Sequence, residues 1–309
     1  MAGIFKRKKT EEKDLKILVT GANGQLGYDC LRELRERGFR NVRGVDRDEL
    51  DITDAKRVEE LIVSYAPDIV LHNAAYTAVD KAETHMSDCY EVNTLGTRYI
   101  ALACQKVKAK LMYISTDYVF EGKGTKFYAT DDPLKGLSVY GKTKAWGEKQ
   151  VTDHCSRFFI LRVSWVFGIN GNNFVRTMLR LADSGKREVS VVSDQVGSPT
   201  YTRDLSKLMC EMMLTEKYGI YHATNEGITS WAGFAEAIFR MAKRNVRVRP
   251  VTTEEYALMV PKQAPRPLNS RLDKASLTKN GFQLLPDWQN ALERFLKEYE
   301  IHTTGVVEE

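Results

Sequence analysis

The sequence predicts an α/β protein whose core is a doubly wound parallel sheet, followed by a smaller C-terminal domain. Three observations carry this. Short apolar runs alternate with amphipathic, helix-length segments from Lys16 to Gly168. The first apolar run passes directly into a glycine-rich turn. Beyond Gly168 the alternation becomes less regular. Strands alternating with helices imply βαβ units, whose crossovers leave the strands parallel.

Taken in order, "LKILVTGANGQLG" is a strand running into the turn, and "QLGYDCLRELRERG" is a helix that Gly38 closes as a C-cap. "NVRGVD" is a second strand. "DITDAKRVEELIVSYAP" is a helix with Thr53 or Asp54 as N-cap and Pro67 just past its end. "DIVLHNAA" makes a third strand, "CYEVNTLGTRYIALACQKV" one long helix, and "KLMYISTDYVF" a fourth strand. A helix carrying Tyr140 and Lys144 precedes the fifth strand, "FFILRVSWVFG". The second half predicts helices near 173–184, 202–215 and 231–244, short strands near 189–192 and 219–223, and a Pro-rich "PKQAPRPLNSRLD" before a last helix.

Composition excludes several classes. With 309 residues, 43% hydrophobic and 28% charged, the chain reads as an ordinary soluble protein. No run reaches the roughly 18 apolar residues of a membrane span. The charged "MAGIFKRKKTEEKD" has no apolar core, so it is not read as a secretory signal. A net charge of +5 is too mild to argue for nucleic acid and suits an anionic small molecule. Cysteines 30, 89, 104, 155 and 210 are odd in number and scattered, which predicts reduced thiols in a cytoplasmic protein. Histidines 72, 85, 154, 222 and 302 show no metal-ligand spacing and read as structural or surface residues.

Gly21, Gly24 and Gly27 form GxxGxxG between a strand and a helix. Side chains there would obstruct the turn, the approach of a pyrophosphate, or the packing of helix on strand. The helix N-terminus then offers free N–H groups to phosphates. This predicts a Rossmann-type dinucleotide site. Asp46, at the end of the second strand, suits adenosine ribose hydroxyls and so NADH, whereas the adjacent Arg47 suits the 2′-phosphate of NADPH. The two signals oppose each other, and either cofactor fits.

Tyr140 and Lys144 stand four apart, on one face of a helix, where a neighbouring ammonium favours loss of a phenolic proton. Ser115, Thr116 and Asp117 fall at the carboxyl end of the fourth strand, within reach of an oxygen that meets Tyr140. Apart from this order, a Tyr–Lys pair is as readily a surface contact, and Ser-Thr-Asp after a strand is as readily a turn or cap.

The stretches "TGANGQLG", "LDITD", "NAAYTAVDKAE", "VNTLGT", "STDYVFEG", "VYGKTKAWGE", "RVSWVFG", "DQVGSPTYTRDL" and "RPLNSRLD" resemble the extended short-chain dehydrogenase/reductases. Within them, "AVDKAE", "SWVFG" and "DQVGSPT" are similar to the dTDP-4-dehydrorhamnose reductase family. The likeness runs from about Lys16 to about Leu296. It implies hydride transfer from NADPH or NADH to the 4-keto carbon of dTDP-4-dehydro-β-L-rhamnose, with Thr116, Tyr140 and Lys144 as the catalytic set. Thr116 would hydrogen-bond to the reacting oxygen and Lys144 would lower the Tyr140 pKa. The resemblance further implies a cofactor groove formed by Gly21, Gly24, Gln25, Leu26, Gly27, Asp46, Arg47, Asp51, Ile52, Ala74, Ala75, Thr77 and Asn93, together with Tyr140 and Lys144. Thr116, Asp117, Trp165, Gln195, Thr200 and Arg266 would face the sugar nucleotide.

The expected organisation is a flexible basic tail at 1–14, a cofactor domain at 15–168, a substrate-binding domain at 169–303 with segments near 202–223 returning to the core, and a frayed end at 304–309. The expected partner is a small sugar nucleotide, with no nucleic acid or membrane, for a monomer or homodimer. Some family members join dimers through Mg²⁺, but the matching acid here is the shorter Asp29, so the sequence does not support the metal. Two alternatives remain: another nucleotide-sugar reductase or epimerase of the same fold, or a non-catalytic regulatory subunit built on it, as in methionine adenosyltransferase. Dehydratases of this fold use an Asp-Glu pair after the strand-end Thr, where this chain has Asp117 and Tyr118.

Overall fold

Strands that read as unbroken apolar runs belong in a sheet covered on both faces. In a computed structural model, which describes residues 12–304, six strands form one parallel sheet. They are β1 (Lys16–Thr20), β2 (Asn41–Val45), β3 (Ile69–His72), β4 (Lys110–Thr116), β5 (Phe158–Val163) and β6 (Gly219–His222), in the spatial order β2-β1-β3-β4-β5-β6. The helices used below are α1 (Gln25–Glu36), α2 (Ala55–Tyr65), α3 (Thr97–Val107), α4 (Val139–His154), α5 (Phe174–Asp183), α6 (Thr202–Met212), α7 (Trp231–Met241) and α8 (Trp288–Thr304).

Strand alternation divides the core. Ile17 and Val19 pack with Leu26, Cys30 and Leu34 of α1 and with Leu205 and Met209 of α6. Leu18, between them, faces the opposite side with Val58 and Ile62 of α2, Ile100 and Cys104 of α3, and Val151 of α4. A third cluster joins Val175 and Leu179 of α5, Phe234 and Ile238 of α7, and Leu292 and Phe295 of α8. The sheet therefore carries helices on both faces, as the alternation predicts. The segments 202–223 sit with the main sheet: β6 pairs with β5 in register Gly219–Phe159 to His222–Arg162, and α6 lies against α1.

Local chemistry moves several boundaries. Asp54, rather than Thr53, caps α2, accepting from Arg57 N–H. The long helix over 89–107 is interrupted: Glu91–Gly96 forms a π-helical turn before α3. β4 stops at Thr116, whose Oγ1 takes the Tyr118 N–H and tightens Asp117–Val119 into a 3₁₀ turn. The fifth strand is also shorter than its apolar run. Trp165 adopts φ +51°, and Val166–Phe167 leaves the sheet to pair with Thr200–Tyr201. Two residues assigned to the basic tail are tied down, since Arg40 Nε donates to Asp14 at 2.6 Å and the Lys13 ammonium sits over the Phe39 ring. Positions 1–11 of that tail and positions 305–309 lie outside the described residues.

One ionic cluster fixes α4 on the sheet. Glu148 is buried, and the Arg162 guanidinium of β5 grips it through Nε to Oε1 (2.9 Å) and Nη2 to Oε2 (2.7 Å). Ser115 of β4 donates to the same Oε1, and Arg162 Nη1 donates to the Thr130 carbonyl. Removing one partner of such a pair strands a buried charge, at a cost of about 3–5 kcal/mol. Glu148→Ala is therefore expected to lower the unfolding free energy by that amount in urea denaturation. A loss within the range of ordinary surface substitutions would show that solvent reaches the pair.

Candidate active site

The turn after β1 is built to admit a phosphate chain. Gly21 has φ +64°, and a Cβ there would lie 2.8 Å from the Ala74 backbone nitrogen. A Cβ on Gly27 would lie 2.0 Å from the Gly21 carbonyl oxygen, so helix and turn pack together only without it. Gly24, the N-cap of α1, brings no capping side chain, and the first turn carries no acid. The first N–H groups of the helix thus remain available to an anion. This turn opens into a cleft of about 860 Å³ along the carboxyl ends of the strands.

Gly21, Gly24, Gln25, Leu26, Gly27, Asp46, Arg47, Asp51, Ile52, Ala74, Ala75 and Thr77 all line that cleft. Asp46 braces the turn as well, since Oδ2 accepts from Asn23 N–H and Oδ1 from Arg47 N–H, both at 2.8 Å. Arg47 is 84% exposed at the rim, with Asp51 3.4 Å away. Two donations from Thr53, by its N–H and then its hydroxyl, hold the Asp51 carboxyl below its usual range. Asn93 is placed differently. It is buried off the cleft, where Oδ1 accepts from Tyr76 N–H (2.8 Å) and Nδ2 donates to Thr143 Oγ1 (3.2 Å). It therefore ties the cleft wall to α4, supporting the site from behind the lining.

Thr116, Asp117, Tyr140, Lys144 and Trp165 meet at the inner end of the same cleft. Ser138 caps α4 by accepting from Gly141 N–H, which starts the helix one residue before Tyr140. Burial pushes the Tyr140 phenol well above its ordinary value, and a hydrogen bond with Thr116 offsets only part of this. Lys144 does not bear on the phenol here. Its Nζ donates to the Ile114 carbonyl at 2.6 Å and lies 4.0 Å from the Tyr113 ring centroid. Burial pushes its own pKa down to about 7, with Glu148 opposing that. The expected lowering of the Tyr140 pKa by Lys144 does not appear among the causes: the ammonium is turned to the Ile114 carbonyl, and burial raises the phenol.

The Thr116 hydroxyl proton is also committed, donated to Asp117 Oδ1 at 3.0 Å. Trp165 stacks on Trp231, with ring centroids 3.9 Å apart, and both rings wall the cleft beside Phe174. Trp231 carried no sequence signal beyond its apolar helix face. Three residues expected at the nucleotide lie off the lining. Gln195 Nε2 donates to Thr253 Oγ1 (3.1 Å), Thr200 Oγ1 donates to the Ser164 carbonyl (2.6 Å), and Arg266 makes a two-pronged contact with Asp80 (2.9 and 3.0 Å). Each is held by a partner inside the fold.

Asp29 does not form a cation site. It is buried, accepts from the Thr202 hydroxyl, and its carboxyl is pushed up to about 6 by burial. Among the described residues no group of three His, Cys, Asp or Glu side chains is arranged to hold a metal. Among the same residues no helix is long and apolar enough to cross a membrane.

A doubly wound sheet, an uncapped glycine turn and a Thr–Tyr–Lys set on one cleft define a Rossmann-fold, NAD(P)-dependent reductase of the short-chain dehydrogenase class. The fold extends to the Thermus thermophilus UDP-glucose 4-epimerase solved with NAD, at TM-score 0.78 but 19% identity. The family model described as RmlD substrate binding domain matches residues 15–301. The chain is 40% identical to dTDP-4-dehydrorhamnose reductase of Aggregatibacter actinomycetemcomitans, over 90% of this chain and 97% of that one. It is 41% identical to the spore coat polysaccharide biosynthesis protein SpsK of Bacillus subtilis, over 92% and 97%. The crystal structure of dTDP-4-dehydrorhamnose reductase from Bacillus anthracis in complex with NADP superposes at TM-score 0.88, with 41% identity, 92% of this chain and 99% of that one. The chain belongs to the dTDP-4-dehydrorhamnose reductase family.

Two outcomes are expected. Arg47→Ala should weaken NADPH binding more than NADH binding in fluorescence titrations, because only the former carries a 2′-phosphate at the rim; equal losses would place Arg47 elsewhere. EDTA should leave activity and elution volume on gel filtration unchanged, and a loss restored by Mg²⁺ would contradict the reading of Asp29.

Proposed function

We propose that this protein reduces dTDP-4-dehydro-β-L-rhamnose to dTDP-L-rhamnose with NADPH or NADH, the last step of dTDP-rhamnose formation, acting in the cytoplasm as a monomer or homodimer. The observation that carries this is the shared cleft: the glycine turn opens at one end of it, and Thr116, Tyr140 and Lys144 stand at the other. NAD(P)H supplies the hydride. The glycine turn and the N-terminus of α1 would hold its phosphates, with Asp46 and Arg47 at the adenosine ribose.

Tyr140 presents the phenolic proton to the carbonyl oxygen on which charge develops. Burial keeps that proton on the phenol at any pH near neutral. Lys144, fixed on the Ile114 carbonyl beside the phenol's helix face, would hold the nicotinamide ribose. Trp165, walled by Trp231, offers a flat apolar face to a sugar or base. Gln195, Thr200 and Arg266, each held by a partner inside the fold, would support the diphosphate side indirectly.

The direct test is oxidation of NADPH and of NADH with dTDP-4-dehydrorhamnose made in situ; no turnover with either cofactor would overturn the assignment. Tyr140→Phe keeps the ring but removes the acidic hydrogen, so kcat should fall by about 10²–10⁴-fold with folding intact by circular dichroism. Lys144→Met should both slow the reaction and weaken cofactor binding. A folded Tyr140→Phe protein with near-normal kcat would exclude the phenol as proton donor.

A further inference from the structure

Asp117 lies against the cleft yet is only 2% exposed, and both its oxygens are taken. Oδ1 accepts the Thr116 hydroxyl proton, and Oδ2 accepts the hydroxyl of Ser270. Ser270 is more than 150 residues away in sequence, on the short strand Asn269–Ser270 that pairs with Val196–Gly197. Gly197 of the partner strand lets the two strands lie close together here. A Cβ added to Gly197 would lie 2.8 Å from Ser270 Cβ and 3.1 Å from the Trp165 ring. A threonine hydroxyl has one proton. Asp117 therefore competes for the one proton of the hydroxyl that meets Tyr140, while the same oxygen accepts the Tyr118 N–H.

We propose that Ser270 is a positioning residue for the reduction: by holding Oδ2 of Asp117 it aims Oδ1 at Thr116 and fixes how the Thr116 hydroxyl meets Tyr140. This rests on the reading of Thr116 and Tyr140 as catalytic. The chain works only while Asp117 is ionised and can accept from both hydroxyls. Burial pushes the Asp117 carboxyl up to about 6, and the Ser270 and Thr116 hydrogen bonds pull against that. The ionisable groups facing it are the Tyr118 and Tyr140 phenols, with the Arg266–Asp80 pair beyond Tyr118. Activity should therefore fall on the acid side as Asp117 gains a proton. Loss of the Ser270 donor raises that pKa further and moves the acid limb toward neutral pH.

The test compares kcat, KM, cofactor Kd and the pH profile for S270A, S270C and S270T, and for S270A combined with T116V. S270C keeps the volume with a weaker donor and covers the case in which S270A does not fold. The expected result is a kcat about tenfold lower in S270A or S270C, the scale of one hydrogen bond to a charged group. Cofactor Kd should be unchanged, the acid limb shifted upward, activity restored in S270T, and no further loss from S270A in the T116V background. Normal kcat and an unshifted limb in S270A or S270C, equal damage in S270T, or full additivity with T116V would each overturn the proposal. Normal kcat in T116V alone would overturn the catalytic reading beneath it, and the proposal with it.

Discussion

The arrangement depends on the buried contact between Arg162 and Glu148. A guanidinium and a carboxylate removed from water are tolerable only when each donor and acceptor finds a partner, and here β4, β5 and α4 supply them together. Ser115 donates to Glu148 from the position next to Thr116, and Glu148 lies one helical turn beyond Lys144. The pair therefore sets the distance of α4 from the carboxyl ends of β4 and β5. It also bears on the ionisation of Lys144, whose pKa Glu148 opposes burial in lowering. A cluster that reads as stability is thus what brings the strand-end threonine and the helical tyrosine to one place.

Around that anchor, the cleft combines two kinds of surface. At the glycine turn it is backbone: N–H groups of an uncapped helix and a close approach that any Cβ would block. At the inner end it is side chain, dry and committed, with Thr116 bonded to Asp117 and Lys144 to the Ile114 carbonyl. Donors fixed before the substrate arrives need little reorganisation as charge develops. The left-handed backbone at Trp165 serves the same end, turning the chain out of the sheet so that an aromatic pair walls the cleft.

Much of this was legible in order and type. The glycines, Asp46, Thr116, Tyr140 and Lys144 were found because their chemistry demands particular residues at short spacing beside a strand end. Asn93 was legible as a residue at the site, but not its partners: it lies in the π-helical turn and joins Tyr76 to Thr143. Arg266 was expected at the diphosphate, yet its charge is met by Asp80, a residue 186 positions earlier. Ser270 and Trp231 passed unnoticed, since nothing local distinguishes a serine in a short strand or a tryptophan on an apolar helix face.

By itself the sequence determined the parallel α/β core, the glycine turn and the Thr–Tyr–Lys order, because periodicity and steric demands act over a few residues. Only the tertiary structure decided which charges are already paired, which hydroxyl takes which proton, and that burial rather than Lys144 governs the Tyr140 phenol. Those outcomes depend on dehydration and on contacts between segments more than a hundred residues apart, and no short spacing in the chain encodes either.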